Sequence, residues 1–422
     1  MNTLPDTLQY LYSLKNRGIK LNLDRVHQFD GQLEHPWQSY PAIHVAGTNG
    51  KGSVTHYLAA MLEASGLRTG LYTSPHLVRF NERVLVNGRS IPDHFILNFI
   101  EEWRPTIDAL DLTYFEATTL MAMEYFRQQQ VDVAVLETGL GGRLDATNIV
   151  TPLVSVITSI GLEHTDQLGE TISAVAGEKA GIIKPQVPVV VGKVPAEAGT
   201  VISERASELE SPVIFTEEMY DPEIRSLTIE GTAFSLNYHG TRLALRMKML
   251  GKQVISNATI ALAALEHQDR FHLTWDQMAE TLSDIQIPGR LQLLGEYPLV
   301  LYDVAHNADS FRNLWENLQA VIPGGRFAAL MCVGVLKDIN SFPGIIPDTV
   351  ELGVMTLEEM PMHPYETWQS VFGSRQIQDF GSGSAAVRKF LDRLDEEMVG
   401  IITGSHYIAE DVYRVMNFSL DS

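Results

Sequence analysis

The sequence predicts an α/β protein with two domains, and three observations carry this prediction. A glycine-rich segment at 47–53 joins an apolar run at 41–45 to a stretch with helical spacing at 54–64. Further short apolar runs alternate with helical stretches, which is typical of a mostly parallel sheet with helices on both faces. This alternation restarts after a segment containing Pro288 and Gly289. We therefore predict an N-terminal domain at 1–286 and a smaller C-terminal α/β domain at 287–422.

The elements follow from apolar and β-branched runs bounded by turn-forming residues. Strands of the first domain are predicted at 41–45, 69–73, 131–137, 153–160 and 187–191. Short runs separated by Gly231 and Gly240 predict a small antiparallel insertion at 228–229, 234–238 and 243–247. A helix is predicted to begin at Asn257. Strands of the second domain are predicted at 299–302, 327–333, 350–355 and 398–403.

Composition excludes several classes of protein. The chain has 422 residues and a net charge of −21, so its surface repels nucleic acid, and we expect no nucleic-acid partner. Cys332 is the single cysteine, which excludes an internal disulfide and fits a reducing compartment. Residues 1–15 lack the basic start and apolar run of a secretory signal, and no apolar stretch is long enough to span a bilayer. We expect a cytoplasmic protein without a membrane partner.

The segment at 47–53 has the chemistry of a phosphate loop. Its three glycines allow the backbone to approach a polyphosphate, Lys51 supplies a positive charge, and Ser53 offers a hydroxyl to Mg²⁺. The hydroxyl stands one residue later than in the common pattern, where it directly follows the lysine. A plain strand-to-helix turn is the alternative, but the predicted helix after the loop favours anion binding at its N-terminus.

Polar residues follow other predicted strands at the same edge of the sheet. Ser74, Glu137 and His164 each come at or just after a strand end, where ligands bind in parallel sheets. A carboxylate such as Glu137 suits Mg²⁺, although it could instead cap a helix or pair with Arg143. A lone histidine is more often structural. Lys179 would ordinarily be a solvated helix residue.

Six segments in register carry a family resemblance. The motifs stand at 47–53 (GTNGKGS), 73–77 (TSPHL), 114–116 (YFE), 137–148 (ETGLGGRLDATN), 178–184 (EKAGIIK) and 303–307 (DVAHN). Together they resemble the folylpolyglutamate synthases of the Mur ligase superfamily, specifically the bifunctional bacterial dihydrofolate synthase/folylpolyglutamate synthases. The resemblance implies a Mur-ligase-like fold with an N-terminal P-loop ATPase domain.

The resemblance also implies a reaction and its ligands. ATP would phosphorylate the carboxylate of dihydropteroate or a reduced folate, and the amine of L-glutamate would attack the acyl phosphate. Two Mg²⁺ ions are implied, one bound by Ser74 and Glu137 and the other by Glu137 and His164, with the Ser53 hydroxyl also a metal ligand. Lys179 is implied to be N-carboxylated. We expect a monomer.

Further roles are implied residue by residue. The phosphates would contact Thr48, Asn49, Gly50, Lys51, Gly52 and Ser53, and ATP would also be met by Asn257, Arg290 and Asp303. The residues implied to be catalytic are Lys51, Lys179 and His306. Of these, His306 would contact the nucleotide or the incoming glutamate. The pterin-bearing substrate would be met by Gly18, Ile19, Lys20, Leu21, Thr113, Tyr114, Phe115, Glu116, Leu144, Asp145 and Ala146. Phe115 would stack on a ring and Asp145 would accept pterin hydrogen bonds, with core packing and loop capping as the alternatives.

Some positions depart from the family pattern, and other functions stay open. Glu163 stands where aspartate is usual, Gly177 where arginine is frequent, and the turn at 333–338 is shortened. The alternatives are a monofunctional folylpolyglutamate synthase, a non-catalytic ATP-binding regulatory protein, and a ligase for another carboxylate. The grouping of Ser74, Glu137, His164 and Lys179 argues against the non-catalytic alternative.

Overall fold

The structure, a computed structural model, describes residues 3–418. The chain divides into two compact units, and the division does not follow a single cut. Among the described residues, one unit contains 3–223, 235–244 and 255–283, and the other contains 224–234, 245–254 and 284–418. The domain boundary between residues 286 and 287 stays a prediction.

The first unit is built on an eight-stranded sheet. Its strands are β1 (Ala42–Ala46), β2 (Thr69–Tyr72), β3 (Val84–Val86), β4 (Arg89–Ser90), β5 (Val133–Glu137), β6 (Val154–Ile157), β7 (Val189–Val191) and β8 (Val213–Phe215). The spatial order is β4-β3-β2-β5-β1-β6-β7-β8. Within the described residues, β3 is antiparallel to both of its neighbours, β2 and β4, and the other pairs are parallel, so the mostly parallel sheet is confirmed. The chain leaves β1 at the centre, between β5 and β6.

Several helices lie wholly or for most of their length in this unit. They are α1 (Leu4–Ser13), α2 (Asp24–Gln32), α3 (Lys51–Ala64), α4 (Asp93–Ala109), α5 (Tyr114–Gln128), α6 (Thr165–Leu168), α7 (Ile172–Ala180), α8 (Ala196–Glu208), α9 (Thr216–Tyr220), α10 (Lys252–Glu266) and α11 (Trp275–Asp284). One apolar cluster joins α1, α2, α4 and α5 to the β2 and β5 side of the sheet, and another joins α7 and α8 to β6 and β7. Helix α3 packs on β1, β2 and β5 with buried residues that belong to neither cluster. Short 3₁₀ turns lie at Leu14–Arg17, Pro36–Ser39, Phe80–Arg83 and Ala146–Ile149.

The predicted antiparallel insertion is confirmed as a three-stranded sheet. It consists of β9 (Glu223–Thr228), β10 (Gly231–Tyr238) and β11 (Thr241–Met247), in the order β11-β10-β9. The prediction that a helix begins at Asn257 is wrong, because α10 begins five residues earlier, at Lys252. Gly251, with a φ of +105°, turns the chain there, and the N–H of Lys252 donates to the side chain of Asn317 at 2.8 Å.

The second unit contains a six-stranded sheet. Its strands are β12 (Gln292–Glu296), β13 (Leu299–Asp303), β14 (Arg326–Met331), β15 (Glu351–Thr356), β16 (Ile377–Ser382) and β17 (Met398–Thr403), in the order β12-β13-β17-β14-β15-β16. Only β12 is antiparallel to its neighbour. The helices are α12 (Ala308–Val321), α13 (Tyr365–Phe372), α14 (Gly383–Leu391) and α15 (Ala409–Met416), with 3₁₀ turns at Phe342–Gly344 and His406–Ile408. The predicted α/β character of this region is confirmed.

Residues 3–418 include no helix that combines the length and the apolar character needed to cross a bilayer.

Candidate active site

The phosphate loop leaves β1 and is fastened to the loop that follows β6. The N–H of Thr48 donates to the carbonyl of Ser159 at 2.9 Å, and its hydroxyl donates to the carbonyl of Gly161 at 3.1 Å. The N–H of Asn49 donates to the Ser159 hydroxyl at 2.9 Å. Because two neighbouring strands deliver these loops, the phosphate loop is held in place before any ligand contacts it. Helix α3 then begins at Lys51.

Gly47 is required in this loop for steric reasons. Its φ is +153°, and a Cβ there would lie 1.9 Å from Oγ1 of Thr158. We expect Gly47→Ala to displace the loop and to weaken ADP binding about 100-fold, since overpacking of this kind costs up to about 3 kcal/mol. Isothermal titration with ADP measures the effect. Gly199→Ala is the control, because a Cβ at this α8 position meets only ordinary contacts and alanine favours a helix. Equal ADP affinity in both variants would contradict the steric argument.

The lysine of the loop lies over the loop's own carbonyls. Nζ of Lys51 donates to the carbonyl of Gly47 at 2.7 Å and to that of Thr48 at 3.3 Å. Ser53, in the first turn of α3, is buried, with 5% of its surface exposed. A Cβ at Gly52 would lie 3.8 Å from Oε2 of Glu137. The first turn of α3 therefore lies directly against the Glu137 carboxylate.

Glu137 ends β5 and is paired in register with Val45 of β1. It is 3% exposed, and its Oε2 accepts hydrogen bonds from the hydroxyl of Thr73 and, at 3.0 Å, from the N–H of Ser74. Its Oε1 accepts no hydrogen bond from any of residues 3–418. A buried carboxylate needs a positive partner. One carboxylate near hydroxyls is also a donor set that Mg²⁺ takes when phosphate oxygens complete its shell, so these residues fit that ion.

His164 lies at the rim of this edge. It is exposed, has a left-handed φ of +46°, and precedes α6. Within the described part of the chain, no group of three or more His, Cys, Asp or Glu side chains has a metal-binding arrangement. The metal-ligand roles of Ser53, Ser74, Glu137 and His164 stay predictions.

Lys179 is a deeply buried ionisable side chain near the loop, at 1% exposure. Its Nζ donates to the carbonyl of Gly47 at 2.9 Å and to Oε1 of Glu163 at 2.6 Å. Burial, reinforced by the charge of Lys51, lowers the pKa of Lys179 to about 8, against the opposing effect of Glu163. Burial alone would raise the pKa of Glu163, but Lys51 and Lys179 outweigh it and the pKa is lowered. Lys179 is thus not the solvated helix lysine that residues alone indicate.

Asn257 lies in the second turn of α10 and borders the phosphate loop. A Cβ at Gly50, where φ is +88°, would lie 2.5 Å from Oδ1 of Asn257. The structure therefore brings Asn257 to the predicted nucleotide site although the helix begins earlier than predicted.

The residues predicted to contact the pterin fall in three groups, at the N-terminus of α5, in the loop after β5 and at 18–21. The side chain of Thr113 caps α5, and in turn the carboxylate of Glu116 accepts a hydrogen bond from the N–H of Thr113 at 2.7 Å. Glu116 also forms an ion pair with Arg25 at 2.8 Å. Phe115 covers Gly139 so closely that a Cβ there would lie 2.4 Å from the ring. Its ring centroid is 5.9 Å from that of Tyr72.

Asp145 is buried and organises its own loop. Its Oδ2 accepts from the N–H groups of Gly139 and Leu140 at 2.8 and 2.9 Å, and its Oδ1 accepts from the N–H and hydroxyl of Thr147. Burial raises the pKa of Asp145, and these hydrogen bonds act in the opposite direction. This is the contact pattern of the loop-capping alternative. Leu144 is partly exposed beside it, whereas Ala146 is buried.

The segment at 18–21 follows the 3₁₀ turn of residues 14–17. Gly18 has a φ of +71°, and Ile19 and Leu21 are 58% and 47% exposed. Lys20 forms an ion pair with Asp111. Two exposed aliphatic side chains on one short segment leave apolar surface for a ligand.

Arg290, Asp303 and His306 lie in the second unit, near one another in sequence and around the end of β13. Oδ2 of Asp303 accepts from the N–H of Leu291 at 2.9 Å, and Oδ1 accepts from that of Ala305 at 2.8 Å. Burial raises the pKa of Asp303, opposed by the charge of Arg290. Nδ1 of His306 donates to the carbonyl of Val304 at 2.9 Å, which sets the tautomer of the neutral ring.

Sequence reasoning missed three contributors to the site. Thr73 donates to Glu137, Thr158 determines the space at Gly47, and Glu163 pairs with Lys179. Each stands next to a predicted residue or at the end of a predicted strand. That adjacency was the available signal, but a hydroxyl or carboxylate in a loop is too common to be singled out by itself.

Comparisons with known proteins show the family to which this chain belongs. A model of the Mur ligase middle domain matches residues 45–265. The dihydrofolate synthase/folylpolyglutamate synthase of Bacillus subtilis is 35% identical over 352 residues, covering 79% of this chain and 80% of that protein. The folylpolyglutamate synthase of Lacticaseibacillus casei is 31% identical over 425 residues, covering 97% and 98%.

Solved structures give the same result. The Escherichia coli FolC structure in complex with DHPP and ADP superposes with a TM-score of 0.83 and 32% identity, covering 97% of each chain. The relatives match at an identity and coverage that exclude a resemblance of fold alone. The chain belongs to the dihydrofolate synthase/folylpolyglutamate synthase family and carries the Mur ligase middle domain.

Proposed function

We propose that this protein is an ATP-dependent ligase that joins L-glutamate to dihydropteroate and to reduced folates. The observation that carries the proposal is the buried Glu137 carboxylate, placed against the first turn of α3 beside the phosphate loop, in a chain of this family. The complex of E. coli FolC with ADP supports ATP as the phosphoryl donor. The cytoplasmic location and the monomeric state stay predictions.

The reaction needs a leaving group that a carboxylate does not have. In the proposed first step, an oxygen of the acceptor carboxylate attacks the γ-phosphorus of ATP, and ADP leaves. In the second step, the neutral amine of glutamate attacks the acyl carbon, inorganic phosphate leaves, and the nitrogen loses a proton. Transfer of this kind depends on positioning and on stabilising charge at the phosphates.

The chain's own residues supply that positioning. The N–H groups at the start of α3 and the ammonium of Lys51 face the place where a polyphosphate would lie. We propose that the phosphates of ATP are contacted by Thr48, Asn49, Gly50, Gly52 and Ser53. Asn257 borders the same loop through Gly50.

We assign Mg²⁺ to Ser53, Ser74, Glu137 and His164 as two ions, which when bound would neutralise charge on the phosphates. The supporting observation is Oε1 of Glu137, which accepts no bond within residues 3–418. Lys179 is proposed to be N-carboxylated, because an amine with a lowered pKa is neutral more often and only the neutral amine reacts with carbon dioxide.

We propose that the pterin ring of dihydropteroate or folate binds to the surface around Phe115 and to the exposed side chains of Ile19 and Leu21. The carboxylate of Asp145 orders the loop that we propose contacts the pterin. Both of its oxygens already accept hydrogen bonds from this loop, so a pterin N–H would donate to an oxygen that has another donor. Arg290, Asp303 and His306 are proposed to contact ATP or the incoming glutamate. These contacts rest on the motif resemblance.

The test is glutamate-dependent ADP release with Mg²⁺, ATP and either dihydropteroate or a reduced folate. Turnover of both acceptors is expected. Turnover of the folate alone would indicate a monofunctional enzyme, the activity named for the L. casei relative. ADP binding without turnover of either acceptor would contradict the proposal.

A further inference from the structure

Three basic side chains lie together among aromatic rings in the first unit. Lys15 lies with its Nζ 4.7 Å from the ring centroid of Tyr12 and 5.2 Å from that of Tyr114. The guanidinium carbon of Arg83 lies 5.4 Å from the Tyr114 centroid, and Nε of Arg83 donates to Nδ1 of His76 at 2.7 Å. We call Lys15, His76 and Arg83 the basic cluster.

Arg83 is unusual for a buried arginine. It is 7% exposed, and among residues 3–418 its Nη groups donate to no acceptor and no carboxylate pairs with it. Buried arginines are normally paired, because an unpaired charge out of water is costly. In a chain with 52 acidic residues and 31 lysines and arginines, an arginine without an acidic partner is also not expected from composition.

The nearby carboxylates are committed elsewhere. Glu82 accepts from the backbone N–H groups of Leu77, Val78 and Arg79 at 2.5–3.3 Å. Asp93 accepts from the side chain of Asn81 at 2.8 Å and lies 3.5 Å from Arg79. These bonds order the loop that carries His76 but leave the positive charge of Arg83 without compensation.

The side chains of the basic cluster offer hydrogen-bond donors, two of them positively charged. Burial and the charge of Arg83 lower the pKa of Lys15. Because Nε of Arg83 donates to Nδ1 of His76, this nitrogen carries no proton and the ring proton is on Nε2. The guanidinium, the ammonium and this N–H are all donors from which a carboxylate can accept, and the rings of Tyr12, Phe80 and Tyr114 lie beside them as apolar surface for an aromatic or aliphatic stem.

The position of the cluster indicates which carboxylate it would bind. His76 follows Ser74 by two residues, a span of at most ~7 Å, and the N–H of Ser74 is bound to Glu137. Tyr114 directly precedes Phe115 on α5. The cluster therefore borders the place where the reacting carboxylate would meet the phosphates. Dihydropteroate has only that carboxylate, whereas the terminal glutamate of a folate has a second one on a short aliphatic stem.

We propose that Arg83, with Lys15 and His76, binds the non-reacting carboxylate of the terminal glutamate of a folate acceptor. The inference rests on the proposed function and deepens it. The basic cluster is then a specificity element for chain elongation that the first ligation, to dihydropteroate, does not use.

The test compares two acceptors in the same enzyme. Arg83→Gln is expected to lower kcat/KM for a reduced folate about 10- to 100-fold, mainly through KM, because it removes hydrogen bonds to a charged group. The value for dihydropteroate should change less than about twofold. Lys15→Gln should show a smaller effect with the same selectivity. Arg79→Gln is the matched control, an exposed arginine of the same loop that should leave both values unchanged.

A modified acceptor makes the test independent of protein folding. A reduced folate whose non-reacting carboxylate is an amide should be a poorer acceptor for the unmodified enzyme by a similar factor, and Arg83→Gln should add little to that loss. Equal loss for both acceptors, or an amide accepted as well as the acid, would overturn the inference. If the unmodified enzyme uses neither acceptor, the proposed function fails, and this inference fails with it.

Discussion

Replacing Glu137 by glutamine is expected to lower the rate of glutamate-dependent ADP release by about 10³-fold or more. The change keeps the shape of the side chain but removes the negative charge that lies against the first turn of α3. The amide can still accept the bonds from Thr73 and Ser74 through its oxygen, so the fold should be retained. Steady-state rates with saturating ATP, Mg²⁺ and acceptor measure the effect.

Glu266→Gln is the matched control for this variant. Its carboxylate is also largely buried and accepts from Tyr220 at 2.5 Å, but it lies nine residues beyond Asn257 along α10, ~13 Å further along the helix axis. We expect this variant to keep its turnover. An active Glu137→Gln enzyme, with the same dependence on Mg²⁺ concentration as the unmodified one, would show that Glu137 is not a metal ligand.

Replacing Lys179 by methionine is expected to lower turnover about 100-fold and to make the activity respond to added acetate or propionate. If the native side chain is carboxylated, these small carboxylates can partly replace it. For the same reason the unmodified enzyme should lose activity in carbon-dioxide-free buffer and regain it with bicarbonate. Mass spectrometry under non-denaturing conditions should detect the added carbon dioxide.

The pH dependence follows from the sign of the pKa shift. The pKa of Lys179 is lowered from 10.5 to about 8, so the neutral amine that reacts with carbon dioxide becomes abundant as pH rises through about 8 rather than above 10. The bicarbonate response should therefore increase with pH at constant dissolved carbon dioxide. Once carboxylated, Lys179 would carry the same charge as Glu163, so the 2.6 Å ion pair and the modification exclude each other, and the positive charge of Lys51, which lowers the pKa of Glu163, would oppose the repulsion.

A buried ion pair without modification gives different results. In that case Lys179→Met would lower the free energy of unfolding by leaving Glu163 unpaired, and neither acetate nor bicarbonate would change the rate. Lys184→Met is the matched control, since its amine is also partly buried and bonds the carbonyl of Asn148 at 2.9 Å. It should show no response to carboxylates.

The sequence was sufficient to predict the strands that deliver the site. β1, β2, β5 and β6 are apolar runs with polar residues at or just after their ends, and the structure ends them within three residues of the predicted positions. Strands β12 and β16 were not predicted, because one is interrupted by Gly295 and a bulge and the other carries Gln378 and Asp379 among its apolar residues. Pairing with a neighbouring strand, not local preference, determines such elements.

Site residues could be predicted where both the residue type and its position at a strand end indicate a function. They could not be predicted where the function depends on how deeply the side chain is buried. Glu137 stands at a strand end and could be singled out from the residues. The depth of Lys179 could not, because its helix positions do not reveal that Glu163 and Gly47 enclose it. The same holds for Arg83, whose significance comes from the carboxylates that fail to reach it.

The account's central claim is that the acceptor carboxylate is activated by phosphoryl transfer from ATP. The most direct measurement uses dihydropteroate or a reduced folate with ¹⁸O in the reacting carboxylate, together with ATP, Mg²⁺ and L-glutamate. The account predicts that one ¹⁸O per amide bond formed appears in inorganic phosphate, with ADP as the other product. Amide formation that leaves the phosphate unlabelled, or places the label in AMP, would contradict it.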